Sequence, residues 1–133
     1  MNETQTKAGI IAIVDDDGPL REALGSVMKA AGFATGTFAT AEDFLNSGER
    51  RNTACLILDV RLPGMSGVEL QSRLREMRSQ VPIIFVTAHG DASLRESVIR
   101  AGAAGFLNKP VRSEALLNEI HAALQKTRTD KQS

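Results

Sequence analysis

Short apolar runs and longer amphipathic stretches alternate along the whole chain. Positions 10–14 read Ile-Ile-Ala-Ile-Val, too continuous for a strand wetted on one face and suited to a parallel sheet covered on both sides. The run stops at Asp15, Asp16 and Asp17. Pro19 then stands where a first helical residue belongs, and Leu20, Ala23, Leu24, Val27, Met28 and Ala31 follow at three-and-four spacing until Gly32. That predicts an amphipathic helix with a punctuated end. A short strand over 34–38, interrupted by Gly36, comes next. Thr40 caps a brief helix carrying Phe44 and Leu45, which Gly48 ends.

The second half repeats the alternation. Cys-Leu-Ile-Leu at 55–58 predicts a buried strand that runs into Asp59, followed by a loop over 60–65. Ser66 and Glu69 have capping-box spacing and open a helix through Val68, Leu70, Leu74 and Met77. Pro-Ile-Ile-Phe-Val-Thr at 82–87 is the third strongly apolar strand. Asp91 caps a helix with Leu94, Val98 and Ala101 that stops at Gly102, and 105–108 is a last short strand. Ser113 caps a final helix with Leu116, Leu117, Ile120, Ala123 and Leu124 on one face. Five strands alternating with five helices predict an α/β fold with a doubly wound parallel sheet. Residues 1–8 read as a flexible N-terminal segment, 9–126 as the domain, and 127–133 as a frayed polar tail.

Composition narrows the function classes. The chain has 133 residues, with sixteen Lys plus Arg against sixteen Asp plus Glu, and is 42% hydrophobic. This length suits one domain with a real core and leaves no room for a separate effector domain. Balanced charge argues against a nucleic-acid binder, and with no Trp and no Tyr there is little to stack on bases. The apolar fraction argues against a disordered chain. No apolar run approaches the roughly 20 residues that span a bilayer, so no membrane partner is expected. The single Cys55 cannot form an internal disulfide, and the N-terminus lacks a basic-then-apolar signal pattern, so a cytoplasmic location is expected. Cys55 reads as inert core, His121 as a surface or half-buried helical side chain, and Arg50, Arg51, Arg73, Arg75 and Arg78 as solvated loop and helix positions.

Candidate chemistry emerges from one topological rule. In doubly wound sheets ligands bind beyond the carboxyl ends of the strands. The residues found there are Asp15 and Asp16, Asp59, Thr87 and Lys109. Three carboxylates sharing a crevice repel one another, and without a counter-charge at least one should take up a proton. A hard divalent cation resolves this, and magnesium suits one or two carboxylates plus water and phosphate oxygens. Lys109 adds a compact point charge.

These residues carry a family resemblance. Val-Asp-Asp-Asp at 14–17, Leu-Asp-Val-Arg-Leu-Pro-Gly-Met-Ser-Gly at 58–67, Val-Thr-Ala at 86–88 and Lys109-Pro110 together resemble the signature of response-regulator receiver domains of two-component systems. The likeness spans about residues 10–124. The wording around Asp59 and over 102–110 is most similar to the FixJ-type subfamily. The resemblance implies a CheY-like, flavodoxin-like (βα)5 fold with strand order 2-1-3-4-5. It implies a conformational switch rather than a conventional enzyme, one that catalyses only its own phosphorylation and slow dephosphorylation.

Residue by residue, the resemblance implies that Asp59 accepts a phosphoryl group from a sensor histidine kinase. Asp16 directly, Asp15 through water, Asp59 and the backbone carbonyl of Arg61 would hold Mg2+, or Mn2+ in its place. Lys109 would pair with Asp59 at rest and with the phosphoryl group afterwards, while Thr87 would hydrogen-bond that group. The bond before Pro110 is expected to be cis. Phe106, three residues before the lysine, would rotate inward as Thr87 moves, and lacking a hydroxyl it would be biased toward the inward state. The side chains of Arg61 and His89 would tune the acyl-phosphate lifetime. The surface of the last strand and its flanking helices would dimerise or dock effectors.

Rival readings remain at this point. A flavodoxin-like cofactor carrier shares the fold, but three aspartates after the first strand would repel a cofactor phosphate. A phosphorylation-independent interaction module would be expected to lose an acidic or lysine position, and none is lost. The chain could also be the excised receiver half of a FixJ-type DNA-binding transcription factor.

Overall fold

A computed structural model of the protein describes residues 9–132, with side chains through residue 126. Its elements in chain order are β1 (Ile10–Val14), α1 (Gly18–Ala30), β2 (Ala34–Phe38), α2 (Ala41–Asn46), a 3-10 turn at Arg50–Asn52, β3 (Thr53–Leu58), α3 (Gly67–Glu76), β4 (Ile83–Thr87), α4 (Ala92–Arg100), β5 (Gly105–Asn108) and α5 (Ser113–Gln132). The five strands form one parallel sheet in the order β2-β1-β3-β4-β5, as the resemblance implied. Strand order reverses at β1, so a crevice opens where β1 and β3 end side by side.

Alternation along each strand divides the core. Ala12, Val14, Leu56, Leu58 and Phe85 pack with Phe44, Leu70, Leu74, Val98 and Phe106 on the face covered by α2, α3 and α4. Ile11, Ile13, Cys55, Ile57, Ile84 and Val86 pack with Leu24, Met28, Leu116 and Ile120 on the face covered by α1 and α5. Because both faces are covered, the successive residues 11–14, 55–58 and 83–87 are all buried, which is why these stretches read as continuous apolar runs.

The helix starts follow local chemistry. Asp17, Thr40 and Asp91 accept side-chain caps from the backbone N–H groups of Leu20, Asp43 and Leu94. The capping box of Ser66 and Glu69 is formed in both directions. These bonds satisfy amides that the first turn leaves without a partner.

Several boundaries differ from the sequence reading. β3 begins at Thr53, two residues before the apolar run, because Thr53 pairs with Ile10 across a register shift. Thr53 Oγ1 also donates to the Glu49 carbonyl over 2.7 Å. Met77 is the exposed C-cap of α3 rather than part of its buried stripe. Ser113 is the first residue of α5, not its cap; the carbonyl of Arg112 accepts from Leu116 N–H. α5 continues to Gln132 through the stretch read as a tail. A helix already nucleated by its packed half can propagate through polar residues at one hydrogen bond per residue.

Candidate functional site

The last hydrogen bonds of the sheet place the chemistry. Asp15 N–H donates to the Phe38 carbonyl at 3.1 Å, Asp59 N–H to Val14 at 3.1 Å, and Lys109 N–H to Thr87 at 2.9 Å. The residues just past β1, β3 and β5 are therefore held by the strands beside them. Their side chains meet at one edge.

Asp15, Asp16 and Asp59 each present a carboxylate oxygen, and these oxygens all lie within 4.8 Å of one another. Asp15 is 2% exposed and Asp59 6%, whereas Asp16 is open to solvent. Lys109 Nζ sits 3.0 Å from Asp15 Oδ2 and 3.1 Å from Asp59 Oδ2. The lysine thus bridges two carboxylates rather than pairing with Asp59 alone. Asp15 Oδ1 also accepts from Asp17 N–H at 2.9 Å, and Asp59 Oδ1 from Arg61 N–H at 3.3 Å.

One ammonium serving two buried carboxylates leaves excess negative charge. Burial pushes the Asp15 carboxyl above its ordinary value, against the opposing pull of the Asp17 N–H and Lys109, and the Asp59 charge adds to the rise. Burial works against the charged form of Lys109, but its bonds to Asp15 and Asp59 outweigh it and hold the ammonium above its usual range. The cluster is an all-oxygen, anionic donor set of the kind a hard divalent cation takes. It is compatible with Mg2+ through Asp15, Asp16 and Asp59.

The other predicted residues stand beside this group. Thr87, fully buried at the end of β4, accepts with Oγ1 a bond of 3.2 Å from His89 N–H. His89 and the Arg61 side chain are exposed. The Lys109–Pro110 bond is cis. Phe106 in β5 packs in the core beside Phe85 and borders a surface groove of about 590 Å³ together with Gly90, Arg95, Ile99 and Asn108. Cys55 is buried and its thiol is pushed up to about 12 by desolvation.

Four supporting residues were not singled out from sequence. Arg21 donates to the Asp15 carbonyl at 2.7 Å, from the first turn of α1, where it reads as an ordinary polar position. Glu42 accepts with Oε2 from Met65 N–H at 2.9 Å, tying α2 to the loop after Asp59 across 23 positions. Nothing in local sequence signals that contact. Gly64, at φ 73°, makes the turn against the Glu42 carboxylate. Gly67 leaves no room for a Cβ, which would collide with the Asp59 carbonyl, and its N–H donates to Val60 at 2.8 Å. The two glycines were visible within the quoted motif, but their partners were not.

Residues 11–121 match the family model for the response regulator receiver domain. The chain is 45% identical over 119 residues to the response regulator protein TodT of Pseudomonas putida, covering 90% of this chain and 52% of TodT. It is 35% identical over 120 residues to the transcriptional regulatory protein FixJ of Bradyrhizobium diazoefficiens, covering 90% of this chain and 58% of FixJ. The chain spans a little over half the length of these relatives. Among solved structures it resembles the response regulator StyR at 41% identity and TM-score 0.84, covering 94% of this chain and 64% of that one. It resembles the FixJ N-terminal domain at 35% identity and TM-score 0.79, covering 88% of this chain and 94% of that one. The fold, the acidic cluster with its bridging lysine, and a match over most of the sequence therefore place this chain in the response regulator receiver domain family of two-component signalling, with FixJ-type relatives.

Proposed function

We propose that this domain accepts a phosphoryl group on Asp59 from the phosphohistidine of a sensor histidine kinase. The observation that carries the reading is Lys109 Nζ between Asp15 and Asp59, within a set of three carboxylates whose oxygens lie within 4.8 Å. An Asp59 oxygen attacks phosphorus, the P–N bond of the phosphohistidine breaks, and the imidazole keeps the electron pair. The product is an acyl phosphate. Asp15, Asp16, Asp59 and the Arg61 carbonyl would hold Mg2+, which neutralises phosphoryl charge during transfer. Lys109, already oriented by two carboxylates, then serves the phosphoryl oxygens.

Switching follows from the same exchange. Thr87 leaves its bond to His89 N–H for the phosphoryl group, Phe106 rotates inward, and the α4-β5-α5 face changes its affinity for a second copy or an effector. Arg61 and His89, exposed at the rim, tune the acyl-phosphate lifetime through the attacking water. The kinase and the domain meet in the cytoplasm; among the described residues no helix is long and apolar enough to cross a membrane. A second reading is favoured by the coverage of 52% and 58% of TodT and FixJ: the chain is the receiver half of a longer transcriptional regulator, and any DNA contact belongs to the other half.

The test is treatment with a small phosphodonor or beryllofluoride, with and without magnesium, in wild type and Asp59→Asn. Modification that needs magnesium and disappears in Asp59→Asn is expected. Modification surviving that substitution overturns the assignment of Asp59.

A further inference from the structure

We propose that Gly90 is the seat that holds the Phe106 ring in its resting position, so that the missing side chain at residue 90 sets the bias of the switch. The consequence for signalling rests on the function proposed above; the geometry does not.

Five described glycines, at 9, 32, 48, 64 and 102, have positive φ. Gly90 is not among them, so its backbone would accept alanine. What forbids a side chain is space. A Cβ built on Gly90 would lie 2.7 Å from Cε1 and Cζ of Phe106 and 2.5 Å from Asn108 Oδ1. These are far below an ordinary carbon contact of about 3.5–4.0 Å. The ring is therefore laid directly on the glycine backbone.

The question is which partner yields when a methyl group is added. The backbone of residue 90 is fastened on both sides. His89 N–H bonds to Thr87 Oγ1 at 3.2 Å, and Asp91 Oδ1 accepts from Leu94 N–H at 2.7 Å as the cap of α4. Phe106 is likewise fixed at its Cα by the parallel ladder with β4, where it stands beside Phe85. The clashing atoms are the outer ends of two side chains, and rotation about their own bonds relieves the contact with least disturbance. For Phe106, which is 9% exposed and packed in the core, that rotation takes the ring off the Gly90 backbone.

Gly90 also shares its loop with the trigger. The hydroxyl that anchors the loop, Thr87 Oγ1, is the one assigned above to the phosphoryl group. Its departure releases His89 N–H, and the seat loosens as space for the ring appears. Residue 90 thereby couples the Thr87 bond to the ring position without touching the phosphoryl site.

The experiment uses Gly90→Ala, Phe106→Ala and the double variant, with 4-fluorophenylalanine labelling to follow the ring and beryllofluoride plus magnesium as the probe. The five Phe of the chain give five fluorine resonances, and Phe106 is assigned by its loss in Phe106→Ala. Without beryllofluoride, Gly90→Ala should shift the Phe106 resonance away from its wild-type position. Beryllofluoride affinity should change by about threefold or more, as a bias on a two-state equilibrium requires. In the Phe106→Ala background the same glycine change should leave affinity unaltered. An unmoved Phe106 resonance, a displaced ring with unaltered affinity, or an affinity change that persists without the ring overturns the proposal. If wild type shows no magnesium-dependent response to beryllofluoride, the receiver function is what fails, and the resonance still decides whether Gly90 seats the ring.

Discussion

The two edges of the crevice are built differently. At the β1–β3 edge every oxygen of Asp15 and Asp59 has a partner: Asp17 N–H and Lys109 for one, Arg61 N–H and Lys109 for the other. Behind them Arg21, Glu42 and Gly67 fasten the surrounding backbone. At the β4–β5 edge Thr87 Oγ1 holds one bond of 3.2 Å to its own loop, and Phe106 rests on a glycine at the border of an open groove. Under the function proposed above, the contrast matches a division of labour. Phosphoryl transfer depends on preorganised charge and suffers from looseness, whereas a switch needs an element with a second arrangement close in energy.

The strongest way to break the contrast is at Gly67. Gly67→Ala forces a Cβ against the Asp59 carbonyl, and neither partner is a movable side-chain end. A loss on the order of 3 kcal/mol or more is expected, the range reserved for packing and backbone clashes, read as a lowered urea midpoint. Tolerance of alanine there would mean the rigid edge is less rigid than its contacts suggest.

Glu42→Ala comes next, because it removes the acceptor of Met65 N–H from a half-buried loop. A cost of about 1–2 kcal/mol is expected for a bond to a charged acceptor, together with slower modification by a small phosphodonor. An unchanged rate would confine Glu42 to stability.

Charge crowding at the same edge makes a pH prediction. Burial raises the folded-state value of Asp15 above 3.8, so the unfolded chain loses this proton first as pH rises. Wild type therefore gains a penalty as pH rises through 3.8 to the folded value, and carries it in full above that. In magnesium-free buffer near neutral pH, Asp15→Asn should melt above wild type by a few degrees, and this advantage should shrink in acid. Equal or lower melting at neutral pH would show that Lys109 fully compensates Asp15. The smallest effect concerns Cys55: with its thiol near 12 and no exposure, a thiol reagent at pH 8 should label it only after denaturant is added. Fast labelling of the folded protein would contradict the buried β3.

Legibility in the sequence followed the range of the interactions. Ile10–Val14 and Ile83–Thr87 were plain because a strand buried on both faces must be apolar throughout. The caps at Thr40, Ser66 and Asp91 were plain because donor and acceptor lie three residues apart. Asp15, Asp16, Asp59 and Lys109 could be gathered from a rule about strand ends combined with charge. Glu42 could not, since its partner lies 23 positions away and its own helix gives it an ordinary role. Gly90 was hidden for a similar reason, as its need for smallness comes from a ring on β5.

Periodicity, turn residues and charged strand ends thus determined by themselves the alternation of elements and the candidate crevice, because those signals act within a few residues or through a general property of parallel sheets. Only the tertiary structure decided that Lys109 answers Asp15 as well as Asp59, that Glu42 and Gly67 brace the loop between them, and that Phe106 lies on Gly90. Each of these depends on how closely two distant segments approach, a distance set by the packing of the whole core.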